Sequence, residues 1–239
     1  MSDAQFRSYM FKVLVLFDMD GTLIPSGINN GGHGKAVYYA LEKVCGIKDA
    51  SLDGIDYHGL TDTQLIYALL AKYGMDKIVA HEKLFAIFSE MAAFYESDVR
   101  QMEICALPGV KELLRALIRN GVALGVVTGA VEGIAKCKLR KAGLIPFFRI
   151  RQFGDQALQR LDLVKMALKK NEENHWAPED RVFLFGDTPR DVKTGKIAGV
   201  KTIGVSTGLV SREELVIASP DYLFDDLTNT AHLLKIILG

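Results

Sequence analysis

The chain has 239 residues, of which 49% are apolar and 24% are charged, so it can bury a full core and form one large or two small domains. Lysine plus arginine equals aspartate plus glutamate at 29 each, which excludes a global basic field that would attract nucleic acid or an anionic membrane. The three scattered cysteines indicate neither a disulfide framework nor a zinc site, and no apolar run is as long as a transmembrane helix, so we expect a cytoplasmic protein.

The first predicted element is a short apolar run at residues 13–17 that ends abruptly in Asp18 and Asp20. Such a run is typical of a strand buried on both faces of a parallel sheet, and open α/β sheets bind ligands beyond the carboxyl ends of these strands. Two neighbouring carboxylates need charge compensation, most simply from a hard divalent cation. A calcium loop of the EF-hand type is excluded, because it requires glycine and glutamate where this chain has Leu23 and Asn29. The alternative is a solvated Asp-Gly turn.

Residues that favour loops fill positions 25–34, and we predict a hinge there. Three segments follow in which apolar residues recur at three- and four-residue spacing, which predicts a helical bundle. Thr61 is positioned to cap the second of these helices. The predicted helices are 35–44, 61–73 and 76–95.

After residues 107–109 the pattern changes to short apolar runs that alternate with helices, which indicates βαβ units and a parallel sheet. The helical bundle therefore interrupts the sheet domain after its first strand. The predicted helices here are 110–119, 131–142 and 161–170, followed by one at the carboxyl terminus. The predicted strands are 122–127, 147–150, 181–185 and 200–205, and a short apolar segment lies at 222–224.

Polar residues follow three of the predicted strands directly. Asp18, Asp20, Thr128 and Asp187 should converge, because the carboxyl ends of parallel strands share one edge of a sheet. The three aspartates could bind Mg²⁺, which prefers oxygen ligands. One carboxylate could attack phosphorus and a second could transfer protons. Thr128 and backbone amides at the start of the next helix could bind the phosphate oxygens.

Three motifs resemble three of the four signatures of haloacid dehalogenase-like hydrolases, in the same order along the chain. They are Asp-Met-Asp-Gly-Thr-Leu at 18–23, Thr-Gly at 128–129 and Gly-Asp-Thr-Pro-Arg-Asp at 186–191. The insertion resembles the helical cap of the phosphoglycolate phosphatase and β-phosphoglucomutase branch. The resemblance implies an α/β fold with a Rossmann-like parallel sheet core in strand order 5-4-1-2-3. The core would comprise residues 1–24 and 107–239, and the inserted cap domain residues 25–106.

The resemblance also implies roles for the residues of these motifs. Asp18 would be the nucleophile and Asp20 the general acid/base. Magnesium would be bound by Asp18, Asp187 and the backbone carbonyl of Asp20, and Asp191 would support the metal or a cationic residue. Thr128 and Gly129 would contact the substrate phosphate.

The chain departs from the family pattern at the third signature, which usually supplies a lysine. The region before the fourth strand here reads Phe-Gly-Asp-Gln-Ala-Leu-Gln-Arg at 153–160. We predict that Arg160 supplies the positive charge, because a guanidinium binds phosphate oxygens bidentately. Lys165 is the alternative. His58, in the loop before the second cap helix, is a candidate substrate contact, although this loop could equally be a plain helix-capping turn.

The predicted function is a magnesium-dependent phosphatase that acts on a small phosphorylated metabolite through an aspartyl-phosphate. A phosphomutase of the β-phosphoglucomutase type uses the same nucleophile and remains an alternative. A regulatory module without turnover is a third possibility, since a fold alone does not fix a function. A dehalogenase is disfavoured because it does not require Asp20, and a phosphonatase because no lysine occurs between Lys48 and Lys72. The substrate is left open, and the protein is expected to be a monomer or a homodimer.

Overall fold

The computed structural model describes residues 10–26, 32–99 and 103–239, and its centre is a six-stranded parallel sheet. In chain order the strands are β1 Val13–Phe17, β2 Val122–Val127, β3 Ile150–Gln152, β4 Val182–Gly186, β5 Lys201–Val205 and β6 Tyr222–Phe224. Strand β1 pairs with β2 on one side and β4 on the other, and all five of its residues are buried. This central position explains why its sequence is continuously apolar.

Helices cover both faces of the sheet and form the inserted segment after β1. They are α1 His33–Cys45, α2 Asp62–Lys72, α3 Lys77–Asp98, α4 Val110–Arg119, α5 Glu132–Lys141, α6 Arg160–Glu173, α7 Pro189–Ile197, α8 Arg212–Ala218 and α9 Thr230–Leu238. Two short 3₁₀ helices occupy Ile145–Phe147 and Glu179–Arg181. The α/β fold with a Rossmann-like core predicted from the sequence is confirmed.

The sheet order is β3-β2-β1-β4-β5-β6, which corrects the predicted order 5-4-1-2-3 by one strand. The five predicted strands have the expected neighbours, but β6 adds a sixth strand beside β5. Strand β6 has only three residues, all half-buried, at an edge of the sheet. A segment this short carries too little periodicity to be assigned as a strand from sequence alone.

The third strand was also predicted wrongly, at 147–150, whereas β3 covers Ile150–Gln152. The reason is Pro146, which lies within the 3₁₀ helix Ile145–Phe147. Proline fixes φ and has no backbone N–H, so it suits a tight turn better than an inner strand. The chain therefore turns at Phe147 and becomes extended only afterwards.

The inserted helices, by which we mean α1, α2 and α3, have an apolar cluster distinct from those beside the sheet. That cluster also includes Val131, Ile134 and Cys137, which lie at or within α5. The inserted helices are thus attached to the sheet region through a shared apolar contact. The division into residues 1–24 with 107–239 and residues 25–106 stays a prediction, and residues 27–31 of the predicted hinge lie outside the described residues.

The start of α2 follows the sequence closely. Thr61 and Gln64 form a capping box, in which the Thr61 hydroxyl accepts from the Gln64 N–H and the Gln64 side chain accepts from the Thr61 N–H. This arrangement satisfies two amide groups that have no partner within the helix. Within the described part of the chain, no helix combines the length and apolarity needed to cross a membrane.

Candidate active site

The carboxyl ends of β1, β2 and β4 bring Asp18, Thr128 and Asp187 to one edge of the sheet. Phe17 is paired with Val126 of β2 and with Phe185 of β4, so the residues that follow these strands lie side by side. The Asp18 N–H donates to the Phe185 carbonyl at 2.9 Å, which continues the ladder into the site. All three polar side chains are buried, with exposures of 5% or less.

Gly21 allows the chain to turn sharply after the two first-motif aspartates. Its φ is +87°, which favours glycine, and a Cβ at this position would collide with the carboxyl group of Asp187. The Met19 carbonyl accepts from the N–H groups of Leu23 and Ile24, which closes the turn. Glycine is therefore required here by both backbone conformation and space.

Three carboxylates form a cluster that could hold a metal ion. One oxygen from each of Asp18, Asp187 and Asp191 lies within 4.8 Å of the others, and all three residues are buried. Within the described residues, Asp187 Oδ1 is a buried atom without a hydrogen-bond partner. An unpartnered buried carboxylate oxygen among carboxylates fits the oxygen ligands that Mg²⁺ prefers. Asp191 joins the predicted Asp18 and Asp187 in this cluster, and the Asp20 carboxylate contacts Lys138; binding of the metal by the Asp20 backbone carbonyl stays a prediction.

The protein environment disfavours charge on the carboxyl groups of Asp18 and Asp187. Burial raises the pKa of Asp18 to about 7 against the opposing effect of the Arg160 guanidinium. Burial, followed by the charges of Asp18 and Asp191, raises the pKa of Asp187 well above its usual range. A bound divalent cation would favour the charged forms and reverse both shifts.

Arg160 is the first residue of α6, and its guanidinium is buried against the cluster. It donates to Asp18 Oδ1 and lies 2.7 Å from Asp191 Oδ1. Burial acts to lower the pKa of Arg160, but Asp18 and Asp191 outweigh it and raise that pKa, so the group stays protonated. Lys165 is exposed on the same helix. The structure thus places Arg160, and not Lys165, beside Asp18.

Asp191 connects the cluster to the start of α7. Its Oδ2 accepts from the Thr188 hydroxyl at 2.6 Å and from the Thr188 N–H at 3.1 Å, as the second half of a capping box. This contact fixes one oxygen while the other faces Arg160. Asp191 therefore contacts the Arg160 guanidinium and also belongs to the candidate metal cluster.

Thr128 and Gly129 lie where β2 ends. The Thr128 hydroxyl accepts from the Ala130 N–H at 3.2 Å, which leaves its own hydrogen free to donate. The Gly129 carbonyl accepts from the Asp62 N–H at 2.7 Å, and a Cβ at Gly129 would collide with the Leu60 carbonyl. Glycine is needed here because the inserted segment approaches this backbone closely.

The start of α5 differs from the sequence prediction. The Val131 N–H donates to Asp62 Oδ2 at 2.8 Å, and the Glu132 N–H donates to Asp155 Oδ1 at 3.0 Å. Carboxylates therefore occupy these two amides. The sequence predicts that amides at the start of this helix bind the substrate phosphate, and these two do not face it. In effect, Asp62 of the inserted helices caps a helix of the sheet region.

His58 lies in the loop before α2 and lines the same cavity as Asp18. Its ring centroid is 4.5 Å from that of Tyr57, and its backbone carbonyl accepts from the Arg190 guanidinium. Arg190 also donates to Asp56 Oδ2 at 2.8 Å. This loop is thus held by a residue from the β4–α7 region, an interaction that the sequence did not predict.

Sequence reasoning also missed a buried polar chain that starts at Asp20. Lys138 Nζ lies 2.7 Å from Asp20 Oδ1, and His33 Nε2 lies 3.0 Å from Asp62 Oδ2. Lys138 is only 4% exposed. The available signal was its position four residues after Ile134, on the buried side of an amphipathic helix where lysine is unusual.

A cavity of about 120 Å³ lies between the inserted helices and the sheet edge. Its walls combine the carboxylate cluster with Thr128, Arg160 and Lys138, and residues of the inserted segment complete them. A substrate phosphate that reached Asp18 would therefore be enclosed by both parts of the chain. The geometry suits transfer of a phosphoryl group to the Asp18 carboxylate, with the Arg160 guanidinium in contact with that carboxylate.

Comparison with known proteins gives a consistent picture. The family model described as haloacid dehalogenase-like hydrolase matches residues 15–205. A protein of Caldanaerobacter subterraneus subsp. tengcongensis named as a pyrophosphatase, PpaX, is 27% identical over 94% of both chains. The phosphoglycolate phosphatase of Synechococcus elongatus is 26% identical over 88% of this chain and 92% of its own. A hydrolase structure from Pseudomonas syringae superposes with a TM-score of 0.71 at 24% identity, covering 95% of this chain and 99% of that one.

Proposed function

The chain belongs to the haloacid dehalogenase-like hydrolase family, and from that premise we propose that it is a magnesium-dependent phosphatase of a small phosphorylated metabolite. The observation that carries the proposal is the contact of buried Arg160 with Asp18, which has an oxygen within 4.8 Å of oxygens of Asp187 and Asp191. A candidate nucleophile, a cation for the phosphate and a candidate metal site thus share one small cavity. A cavity of this kind favours a small substrate.

In the proposed reaction, Asp18 attacks phosphorus while the bond to the leaving oxygen breaks, and Asp20 gives that oxygen a proton. Asp20 then takes a proton from the water that attacks the aspartyl-phosphate, and inorganic phosphate leaves with Asp18 restored. Arg160 and the Thr128 hydroxyl bind the equatorial phosphate oxygens throughout. Magnesium held by Asp18, Asp187 and Asp191 would draw negative charge away from the transferring group.

The inserted helices have a role in this proposal because they exclude water from the transferring group. Hydrogen bonds join them to the sheet region on two sides of the cavity, at Gly129 and at Arg190. We propose that substrate enters when these contacts open and reacts when they re-form. We also propose a cytoplasmic location, which agrees with the free thiols of Cys45, Cys105 and Cys137.

The test is a screen of phosphorylated metabolites for phosphate release with magnesium and with chelator. The panel should include phosphoglycolate and pyrophosphate, because two of the similar proteins carry those names. It should also include sugar and polyol phosphates, with sugar phosphates checked for isomerised product to detect a phosphomutase. Asp18→Asn is the matched control for every positive result. Phosphate release that persists in the Asp18→Asn variant would refute the covalent mechanism.

A further inference from the structure

Lys138 is a buried cation that the reaction described above does not use. It projects from α5, and its Nζ lies 2.7 Å from Asp20 Oδ1 and 2.9 Å from Asp20 Oδ2. It therefore donates to both oxygens of the carboxylate proposed as the general acid/base. The Asp20 side chain is 29% exposed, whereas that of Lys138 is 5% exposed, so the lysine approaches Asp20 from the protein side.

The third N–H group of Lys138 also has a partner. Lys138 Nζ lies 3.5 Å from His33 Nδ1. An ammonium group only donates, so Nδ1 accepts and Nε2–H donates to Asp62 Oδ2 at 3.0 Å. His33 Nδ1 is therefore a third acceptor around Lys138 Nζ, beside the two Asp20 oxygens. Lys138 can adopt few other orientations in this setting.

Stability alone does not account for this buried pair. Replacing a buried ion pair with well-packed apolar groups of similar volume is often neutral or stabilising. The neighbouring Ile134 and Cys137 of α5 contribute to the apolar cluster of the inserted helices, whereas the Lys138 ammonium group faces Asp20 and His33. The ammonium group is then best explained by what it does to Asp20.

On the basis of the proposed phosphatase function, we infer that Lys138 is a positioning residue that fixes the orientation of the Asp20 carboxylate. Its two contacts, one with each carboxyl oxygen, fix the direction in which Asp20 presents its proton to the leaving oxygen. They also hold the resulting carboxylate in place to accept a proton from water. His33 and Asp62 are the first residues of α1 and α2, so the chain that orients Lys138 is complete only with the inserted helices docked.

The experiment compares two phosphate esters that differ in their need for an acid. Glycerol 2-phosphate has a poor leaving group that must be protonated, whereas p-nitrophenyl phosphate leaves without help. In Lys138→Met, we expect kcat/KM for glycerol 2-phosphate to fall by about 10²-fold, the lower end of the usual contribution of an acid/base. For p-nitrophenyl phosphate, kcat/KM should fall less than about fivefold, since the acid contribution is not needed there.

Breakdown of the aspartyl-phosphate, the second step of the reaction, supplies an independent readout. With p-nitrophenyl phosphate, loss of base orientation should slow breakdown of the aspartyl-phosphate, so kcat should fall more than kcat/KM. A burst of one p-nitrophenolate per enzyme should then precede the steady state. Lys138→Arg should recover part of the glycerol 2-phosphate activity, because it restores the charge and two donors.

Lys136→Met is the matched control, since Lys136 lies on the same helix in an exposed pair with Glu132 at 2.6 Å. It should behave as the unmodified protein, and the melting temperatures of all variants should be measured to establish that they fold. An equal fall in kcat/KM for both esters in Lys138→Met would overturn the inference, as would no fall for either. If the unmodified protein releases phosphate from neither ester nor from any compound of the metabolite screen with magnesium, the proposed function fails and the inference fails with it.

Discussion

Replacing Arg160 with alanine tests the proposed site most directly. The substitution removes the guanidinium that contacts the Asp18 nucleophile and lies 2.7 Å from Asp191. The carboxyl groups of Asp18 and Asp191 then lose the guanidinium that both of them contact. Both substrate binding and transfer should suffer, because the phosphate brings further negative charge to the same place.

The expected loss is large because the contact is direct and buried. An arginine at a transferring phosphoryl group contributes about 10³–10⁵-fold, so we expect kcat/KM to fall by at least about 10³, or roughly 4 kcal/mol. Removing one partner of a buried ion pair typically costs roughly 3–5 kcal/mol of stability. In chelator, that cost should be smaller below pH 7 than above it, because Asp18, with its pKa raised to about 7, can take up a proton instead.

The assay is steady-state hydrolysis with magnesium, together with thermal unfolding in chelator at pH 6 and pH 8. Arg160→Lys should recover part of the activity, since it restores the charge without the planar fork. Lys165→Ala is the control and should change little, because that side chain is exposed on the same helix. The reasoning is refuted if Arg160→Ala stays within about threefold of the unmodified protein, against the expected 10³ or more, or if Lys165→Ala loses as much.

Three further predictions follow from the same site. Asp18→Asn should abolish turnover, since an amide is not a nucleophile here, and in chelator it should flatten the pH dependence of stability. In the unmodified protein, the stabilising effect of protonated Asp18 is complete below about pH 4 and is lost as pH rises through its folded pKa of about 7. A melting temperature of the unmodified protein that rises with pH through this window would contradict this sign. Chelator should remove activity and magnesium should restore it. Calcium should inhibit, because calcium takes more and longer bonds to its ligands than magnesium does. Full activity in excess chelator would exclude a requirement for a metal ion. Arg190→Ala should raise KM by up to about fivefold with little change in kcat, as expected for an exposed contact of at most about 1 kcal/mol. Asp56→Ala should have a milder effect on KM. An unchanged KM in Arg190→Ala would mean that the Arg190 contact does not hold the loop that contains His58.

The sequence predicted the fold well where one local pattern dominates. Helix α4 and strand β2 have the predicted bounds, 110–119 and 122–127. The buried residues of α4 recur at helical spacing, and Gly121, with φ +71°, ends the element. Strand β6 was missed because its existence depends on pairing with β5 and not on its own three residues.

The candidate site was predictable to the extent that sheet geometry determines it. Asp18, Thr128 and Asp187 meet because each follows a parallel strand, although their catalytic roles stay predictions. Lys138 could not be found in this way, because its partner Asp20 is 118 positions away and no motif connects them. Which carboxylates approach one another is likewise a tertiary property, and it brought Asp191 into the cluster.

The apolar contact between α5 and the inserted helices has a consequence for how the chain folds during synthesis. The inserted helices end at Asp98, but the cluster that stabilises them also needs Val131, Ile134 and Cys137. Until the ribosome has released α5, part of that cluster faces water, and β1 still lacks β4, which ends at Gly186. Long-range pairing of this kind delays folding and exposes apolar surface on the nascent chain. A fragment limited to residues 33–99 should therefore aggregate when expressed alone, whereas a chain that extends through β4 should fold.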